Sequence, residues 1–136
     1  SHKTVPNILK RKAFTVSMAT AKNIKALDYL GLNSGNKIPN KFEKSGLTAV
    51  KSEFVDAPLI AELPLALECK FVSYNEESEL MLAEIVNVSA DEKALDEKGN
   101  LLIEKLDVVC YDSASHGYYA LGSRVGNAFS DGKSIV

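Results

Sequence analysis

The chain is short of cysteine, histidine and net charge, and each shortage removes a class of function. Its two cysteines, Cys69 and Cys110, cannot form a zinc site alone and do not make the disulfide framework of a small secreted domain. A reduced, cytoplasmic setting is therefore expected. The two histidines, His2 and His116, stand far apart in the chain without a metal-type partner four residues on, so no metal centre is expected. The 16 basic and 18 acidic residues are interspersed and sum to −2, which gives no electrostatic case for nucleic acid or an anionic membrane as partner.

Long apolar runs are also missing. None approaches the roughly 18 residues that span a bilayer. The opening Ser1-His2-Lys3-Thr4-Val5-Pro6-Asn7 has no apolar stretch of the signal-peptide kind. So abrupt a start reads as a processed end or as a piece of a longer chain.

The common catalytic signatures do not occur either. There is no G-x-S-x-G elbow, no G-x-G-x-x-G and no P-loop. Gly122 and Gly126 lack the strand-turn-helix setting of a dinucleotide fold. Asp91 to Gly99 is acidic, but it lacks the alternating ligands and distal glutamate of a calcium loop and reads as a solvated excursion. Cys69 alternates with Leu65, Leu67 and Phe71, the position of a buried, inert thiol. Cys110 lies in an apolar strand with His116 six residues on, the one thiol–imidazole spacing the sequence offers.

What is present is one domain's worth of ordinary globular chain: 136 residues, 46% hydrophobic and 25% charged. Thr4 to Lys12 reads as a short helix capped by Thr4, with Pro6 in its first turn and basic residues at its end. Ala13 to Met18 alternates as a strand. Thr20 caps a second helix whose Ala21, Ile24, Leu27 and Leu30 share a face and which Gly31 terminates.

From Gly31 to about Leu63 the pattern weakens, with one helical turn at Lys41-Phe42-Glu43-Lys44. A long irregular segment in a compact domain is more often functional than idle. Two long strands follow, Leu63 to Tyr74 and Leu80 to Ala90, joined by the polar hairpin Asn75-Glu76-Glu77-Ser78. The second is apolar on both faces, as in a strand covered twice. Val108 to Tyr111 and Tyr118 to Gly122 are the last extended pieces. The expected class is mainly β (α+β) with two peripheral helices.

One constellation points to a ligand. Ser1, Lys3 and Thr4 place two hydroxyls, a cation and free backbone N–H groups at a helix N-terminus, where the dipole favours an anion such as phosphate.

Taken in order, the segments resemble the flavin reductase-like, FMN-binding split-barrel family, along nearly the whole chain. The carriers are Ser1-His2-Lys3-Thr4 with Asn7-Ile8, Ala13-Phe14-Thr15-Val16-Ser17, and Asp28-Tyr29-Leu30-Gly31 with Ser34-Gly35. They continue in Asn40-Lys41-Phe42-Glu43-Lys44-Ser45-Gly46-Leu47, Leu67-Glu68-Cys69-Lys70, and Tyr118-Tyr119-Ala120-Leu121-Gly122 through Gly126 to Phe129.

The resemblance implies a split β-barrel with peripheral helices, FMN as cofactor and a homodimer with the cofactor near the subunit interface. Thr4 matches the family's phosphate-binding hydroxyl, with Ser1 and Lys3 beside it. Lys41 matches a loop lysine that approaches the flavin, although Asn40 replaces the usual aspartate. Tyr111 falls where the family has an aromatic near the cofactor, and Glu79 stands at a hairpin position where relatives often carry a flavin-side histidine.

Relatives also carry several strands before the position of Ser1, so residues 1–136 correspond to the C-terminal part of the family domain. The expected activity is flavin reductase-like electron transfer, with a nicotinamide nucleotide or a redox protein as electron donor. The competing expectation is a non-catalytic dimeric barrel that does not retain flavin.

Overall fold

A computed structural model describes residues 2–135, so the proposed contribution of Ser1 lies outside the described residues. Helix α1 spans Thr4–Arg11 and buries Ile8, with Lys10 and Arg11 in its last turn where the dipole is negative. Lys3, not Thr4, is the N-cap, and Thr4 is the first helical residue: the N–H of Asn7 reaches back 3.3 Å to the Lys3 carbonyl. Lys12 closes the helix in the left-handed conformation, φ 58°, its N–H donating to the Ile8 carbonyl at 2.7 Å.

Strand β1, Ala13–Ser17, leads directly out of that cap. It pairs antiparallel with β4, Leu65–Asn75, placing Phe14 opposite Cys69. Strand β5, Leu80–Ala90, pairs on the other side of β4, giving the order β1-β4-β5. The Asn75 side chain builds the hairpin turn by accepting from the Ser78 N–H at 2.8 Å. Glu79 then takes a positive φ of 54° as the chain re-enters β5.

Simple alternation along β4 fails at its bulges. The register shifts between Glu68 and Cys69 and again between Phe71 and Ser73. Beside the first shift, Glu68 and Cys69 are both buried although adjacent, so the strand hides a carboxylate as well as a thiol.

Between β1 and β4 lies α2, Ile24–Leu32, preceded by a short 3-10 turn. The helix runs on through Gly31, correcting the expected stop there. Thr20 holds the N-cap position of the 3-10 turn, but its hydroxyl does not cap the backbone and instead accepts from the Asn23 side chain at 3.1 Å. The expected turn at Lys41 is α3, Lys41–Ser45, ended by Gly46 at φ 75°.

The remaining irregular segment resolves into the hairpin β2, Ala49–Lys51, and β3, Pro58–Ile60. It is tied to the main sheet by the Thr15 hydroxyl donating to the Pro58 carbonyl at 2.6 Å. A third pair, β6 (Val109–Asp112) and β7 (Gly117–Ala120), joins the body through Thr20 and Val108.

Leu47, Val55, Leu63, Ala66, Cys69 and Leu106 are among the buried core residues. The face shared by Ile24, Leu27 and Leu30 on α2 is only half-buried. On β5, Leu80, Leu82, Ile85 and Val88 are each more than half exposed, so the double cover expected for this strand does not come from the described residues.

Candidate functional site

The first turn of α1, the loop after α2 and the start of α3 meet at Gly35. A Cβ at this glycine would stand 3.3 Å from Lys3 Cδ and 3.8 Å from Lys41 Cε. Two of the nominated cations therefore flank one point of backbone, and Lys3 is next in sequence to Thr4. Among the described residues the only ion pair is Arg11–Asp56, at 2.8 Å, so neither Lys3 nor Lys41 is neutralised by a carboxylate.

The loop is folded by its own residues. The Lys37 and Ile38 N–H groups donate to the Ser34 carbonyl at 3.0 and 2.9 Å, and the Asn36 N–H donates to the Ser34 hydroxyl at 3.3 Å. Asn33 donates from its side chain to the Tyr29 carbonyl at 2.8 Å. Lys41 closes the arrangement: its ammonium donates to the carbonyls of Leu30 at 2.7 Å and Asn33 at 2.6 Å. A cation bonded to the last carbonyls of α2 satisfies groups the helix leaves open and opposes its negative end. Two of the three Lys41 protons are thereby engaged.

Thr4 also lies on a groove of about 1010 Å³ between α1, β1 and the β2–β3 hairpin. Phe14, Val16, Val50, Val55 and Pro58 give it apolar walls, and the Arg11–Asp56 pair crosses its rim.

Tyr111 stands on β6 with its ring 5.4 Å from that of Tyr118, tilted by 49°. Its hydroxyl and His116 Nδ1 share a hydrogen bond of 3.0 Å. The Tyr118 hydroxyl donates to Asp28 of α2 at 2.8 Å, and this bond holds the phenol above its ordinary pKa. Helix α2 is thus common to both groups, gripping Tyr118 through Asp28 and Lys41 through its terminal carbonyls.

Glu79 is not part of this constellation. It is exposed at the β4–β5 turn, with no hydrogen bond or ion pair to Lys3, Thr4, Lys41 or Tyr111 among the described residues. Cys110 is exposed and unbonded to His116, which engages Tyr111 instead. Burial pushes the Cys69 thiol up, the behaviour of an inert core cysteine.

Sequence reading missed the fully buried Glu68. Burial alone would raise its carboxyl, but hydrogen bonds from the Ser52 and Ser89 hydroxyls and the Asn87 amide outweigh it and hold the group below the usual carboxylate range. Ser52 in turn accepts from the N–H groups of Phe54 and Val55, both at 3.0 Å. The carboxylate thereby fixes the 52–57 loop that walls the groove. The available signal was a glutamate inside an apolar strand facing a strand that carries Asn87 and Ser89.

Residues 1–114 match the model of the Flavin reductase like domain family. The chain belongs to that family. Flavoredoxin of Desulfovibrio vulgaris (Miyazaki F) has the same architecture, with 37% identity and a TM-score of 0.90 over 97% of this chain and 71% of that one. Flavoredoxin from Methanosarcina acetivorans matches over 100% of this chain and 72% of its own, at 29% identity and a TM-score of 0.88.

Both place the fold as the split barrel that the sequence pattern resembles. A curated protein of Aquifex aeolicus (strain VF5), described as uncharacterized, is 34% identical over 107 residues, covering 75% of this chain and 53% of that protein. The chain therefore spans about half the length of that curated relative. Family and fold together make this a flavin reductase-like domain. No helix among the described residues is long and apolar enough to cross a membrane.

Proposed function

We propose that this flavin reductase-like chain binds FMN and serves as an FMN-dependent oxidoreductase, with electrons supplied by a reduced nicotinamide nucleotide or a redox protein. The observation that carries the reading is the approach of the Lys3 and Lys41 side chains to Gly35, with Thr4 next in sequence to Lys3. Two cations without carboxylate partners, a hydroxyl and the free N–H groups at the start of α1 form a donor set suited to a dianionic phosphate. Gly35 contributes by lacking a side chain, since a Cβ there would press on Lys3.

Within this proposal Lys3 and Thr4 anchor the phosphate, while Lys41 mainly shapes the loop and offers its remaining proton. The apolar groove beginning at Thr4 gives room for a ring system next to the anchor. Tyr111, steadied by Tyr118 and His116, supplies an aromatic face. Glu79 contributes a negative charge at the hairpin tip. Bound flavin would supply the hydride and electron chemistry, and the protein its placement and electrostatic surroundings.

The proposal includes a homodimer, for which the apolar residues that β5 leaves exposed are the support, and a cytoplasmic setting, for which the two unpaired cysteines are the support. An absorption spectrum of the purified chain after incubation with FMN and gel filtration is the first test. Retained visible flavin bands support the reading, and a spectrum without them overturns it.

A further inference from the structure

The β6–β7 hairpin is stiffened by its own side chains. Tyr111 and Tyr118 stand opposite each other across its strands, and Cys110 stands opposite Tyr119. At the tip, Asp112 accepts from the Ala114 N–H at 3.0 Å and the Ser115 N–H at 3.1 Å, while His116 engages the Tyr111 hydroxyl. A Cβ at Gly117 would stand 2.8 Å from Tyr119 Cε2, so the turn closes tightly against that ring.

The base of the hairpin is fixed to the segment that leads into α2. The Val109 N–H donates to the Ala19 carbonyl at 3.1 Å, and Val108 bridges to Thr20. Just before it, Asp107 accepts from the Ala21 N–H on its carbonyl at 2.9 Å and from the Lys22 N–H on its carboxylate at 3.0 Å. Nearer the tip, the hydrogen bond to the body among the described residues is the one from Tyr118 to Asp28. The other bonds of residues 110–119 stay within the hairpin.

Base and tip are thus spaced along one helical segment. Asp28 lies seven residues beyond Ala21, roughly 10 Å of helical rise. Leu30, whose carbonyl accepts from Lys41, is two residues further on. Aspartate is a poor residue for a helix interior, and this one makes no ion pair among the described residues. Its visible work is the bond to Tyr118.

We propose that Asp28 is a positioning residue: through the Tyr118 hydroxyl it holds the hairpin against α2 and so sets the Tyr111 ring relative to the loop that Lys41 secures. A two-stranded hairpin has little stability of its own, and one fastened only at its base pivots there. A hydrogen bond to a carboxylate is of the stronger kind. The consequence for flavin rests on the proposed function, whereas the tie itself does not.

The test is hydrogen–deuterium exchange of the full chain and its Asp28→Ala, Asp28→Asn and Tyr118→Phe variants, with and without FMN. Alanine is a better helix former than aspartate, so α2 should survive, and residues 24–32 serve as the internal reference. Amides of residues 110–119 should exchange about three- to tenfold faster in Asp28→Ala, the effect of losing one hydrogen bond. Asp28→Asn keeps an acceptor and should restore most of the protection. Tyr118→Phe keeps the ring and should match Asp28→Ala, with the double variant no faster than either. Where FMN is bound, loosening the hairpin should relieve quenching of its fluorescence, and Tyr111→Leu should abolish that dependence on Asp28.

Hairpin exchange indifferent to Asp28, or left slow by Tyr118→Phe, overturns the proposal. A hairpin loosened in a chain that never retains FMN upholds the tie and overturns the flavin reading. Retained FMN with a hairpin indifferent to Asp28 does the reverse. Bound FMN whose fluorescence ignores a loosened hairpin overturns the placement of the Tyr111 ring at the cofactor.

Discussion

Lys3 lies against Gly35, its Cδ 3.3 Å from the point where a side chain on that glycine would begin. The contact brings the start of α1 and the loop after α2 to one place, with the Thr4 hydroxyl next in sequence. Gly35→Ala tests it with little risk to the fold, because Lys3 can yield by a few tenths of an ångström. Forcing a side chain off its rotamer costs about 0.5–1.5 kcal/mol. FMN affinity, measured by fluorescence quenching, should fall about two- to twelvefold. An unchanged affinity would separate Gly35 from the phosphate anchor.

Thr4→Val removes the anchoring hydroxyl while keeping the side chain's shape. Loss of a charge-assisted hydrogen bond costs about 1.5–3 kcal/mol, or roughly ten- to a hundredfold in the FMN dissociation constant. Thermal unfolding of the flavin-free chain should hardly change, since Thr4 is exposed and its hydroxyl caps nothing.

Lys41→Met has a different signature. Removing the ammonium leaves the carbonyls of Leu30 and Asn33 without their donor. Stability in urea should fall by about 1.5–3 kcal/mol, and amide exchange should quicken across residues 30–38. Unaltered stability combined with weakened FMN binding would instead make Lys41 a direct ligand with no role in shaping the loop.

The Glu68 cluster fixes an acid limit. Its carboxyl is held below the ordinary range because hydrogen bonds from Ser52, Ser89 and Asn87 outweigh the opposing effect of burial. The resulting stabilisation is fully present above the ordinary glutamate value of about 4.3. It is lost as pH falls below that value and through the folded-state pKa. Urea midpoints from pH 7 to 3 should therefore drop in the acid range, and Ser52→Ala should lower the midpoint at pH 7 and flatten the acid drop. Parallel curves for parent and variant would show that the cluster does not set the limit.

Much of this architecture was legible because it rests on local chemistry. The basic end of α1, the alternation of β1, the paired β4 and β5 and the Asn75 turn each follow from their own residues. Two features depended on distant partners and were not. The burial of Glu68 requires Ser52, sixteen residues away in sequence, and a bulge that defeats alternation. Gly31 read as a stop, yet its backbone continues the helix, whose end is secured by Lys41.

The site was legible in part. Lys3 and Thr4 were named from the helix start and Lys41 by resemblance, and the structure brings Lys3 and Lys41 to the two sides of Gly35. The link from Tyr111 through Tyr118 to Asp28 spans ninety residues and has no signature in sequence. Glu79 was named by resemblance alone, and its exposure at a turn leaves electrostatics as its only route to influence.

Glu79→Gln follows that route. Removal of a negative charge near a flavin ring should raise the midpoint potential of the bound cofactor, because reduction adds negative charge there. A redox titration of both proteins reads it, and identical potentials would place Glu79 away from the cofactor.

Paired titrations with FMN and riboflavin isolate the phosphate anchor at Lys3 and Thr4, because the two flavins differ only in the phosphate. One FMN per chain should bind at least tenfold more tightly than riboflavin, and Thr4→Val should erase most of that difference. Equal affinity for the two flavins, or no binding of FMN, would contradict it.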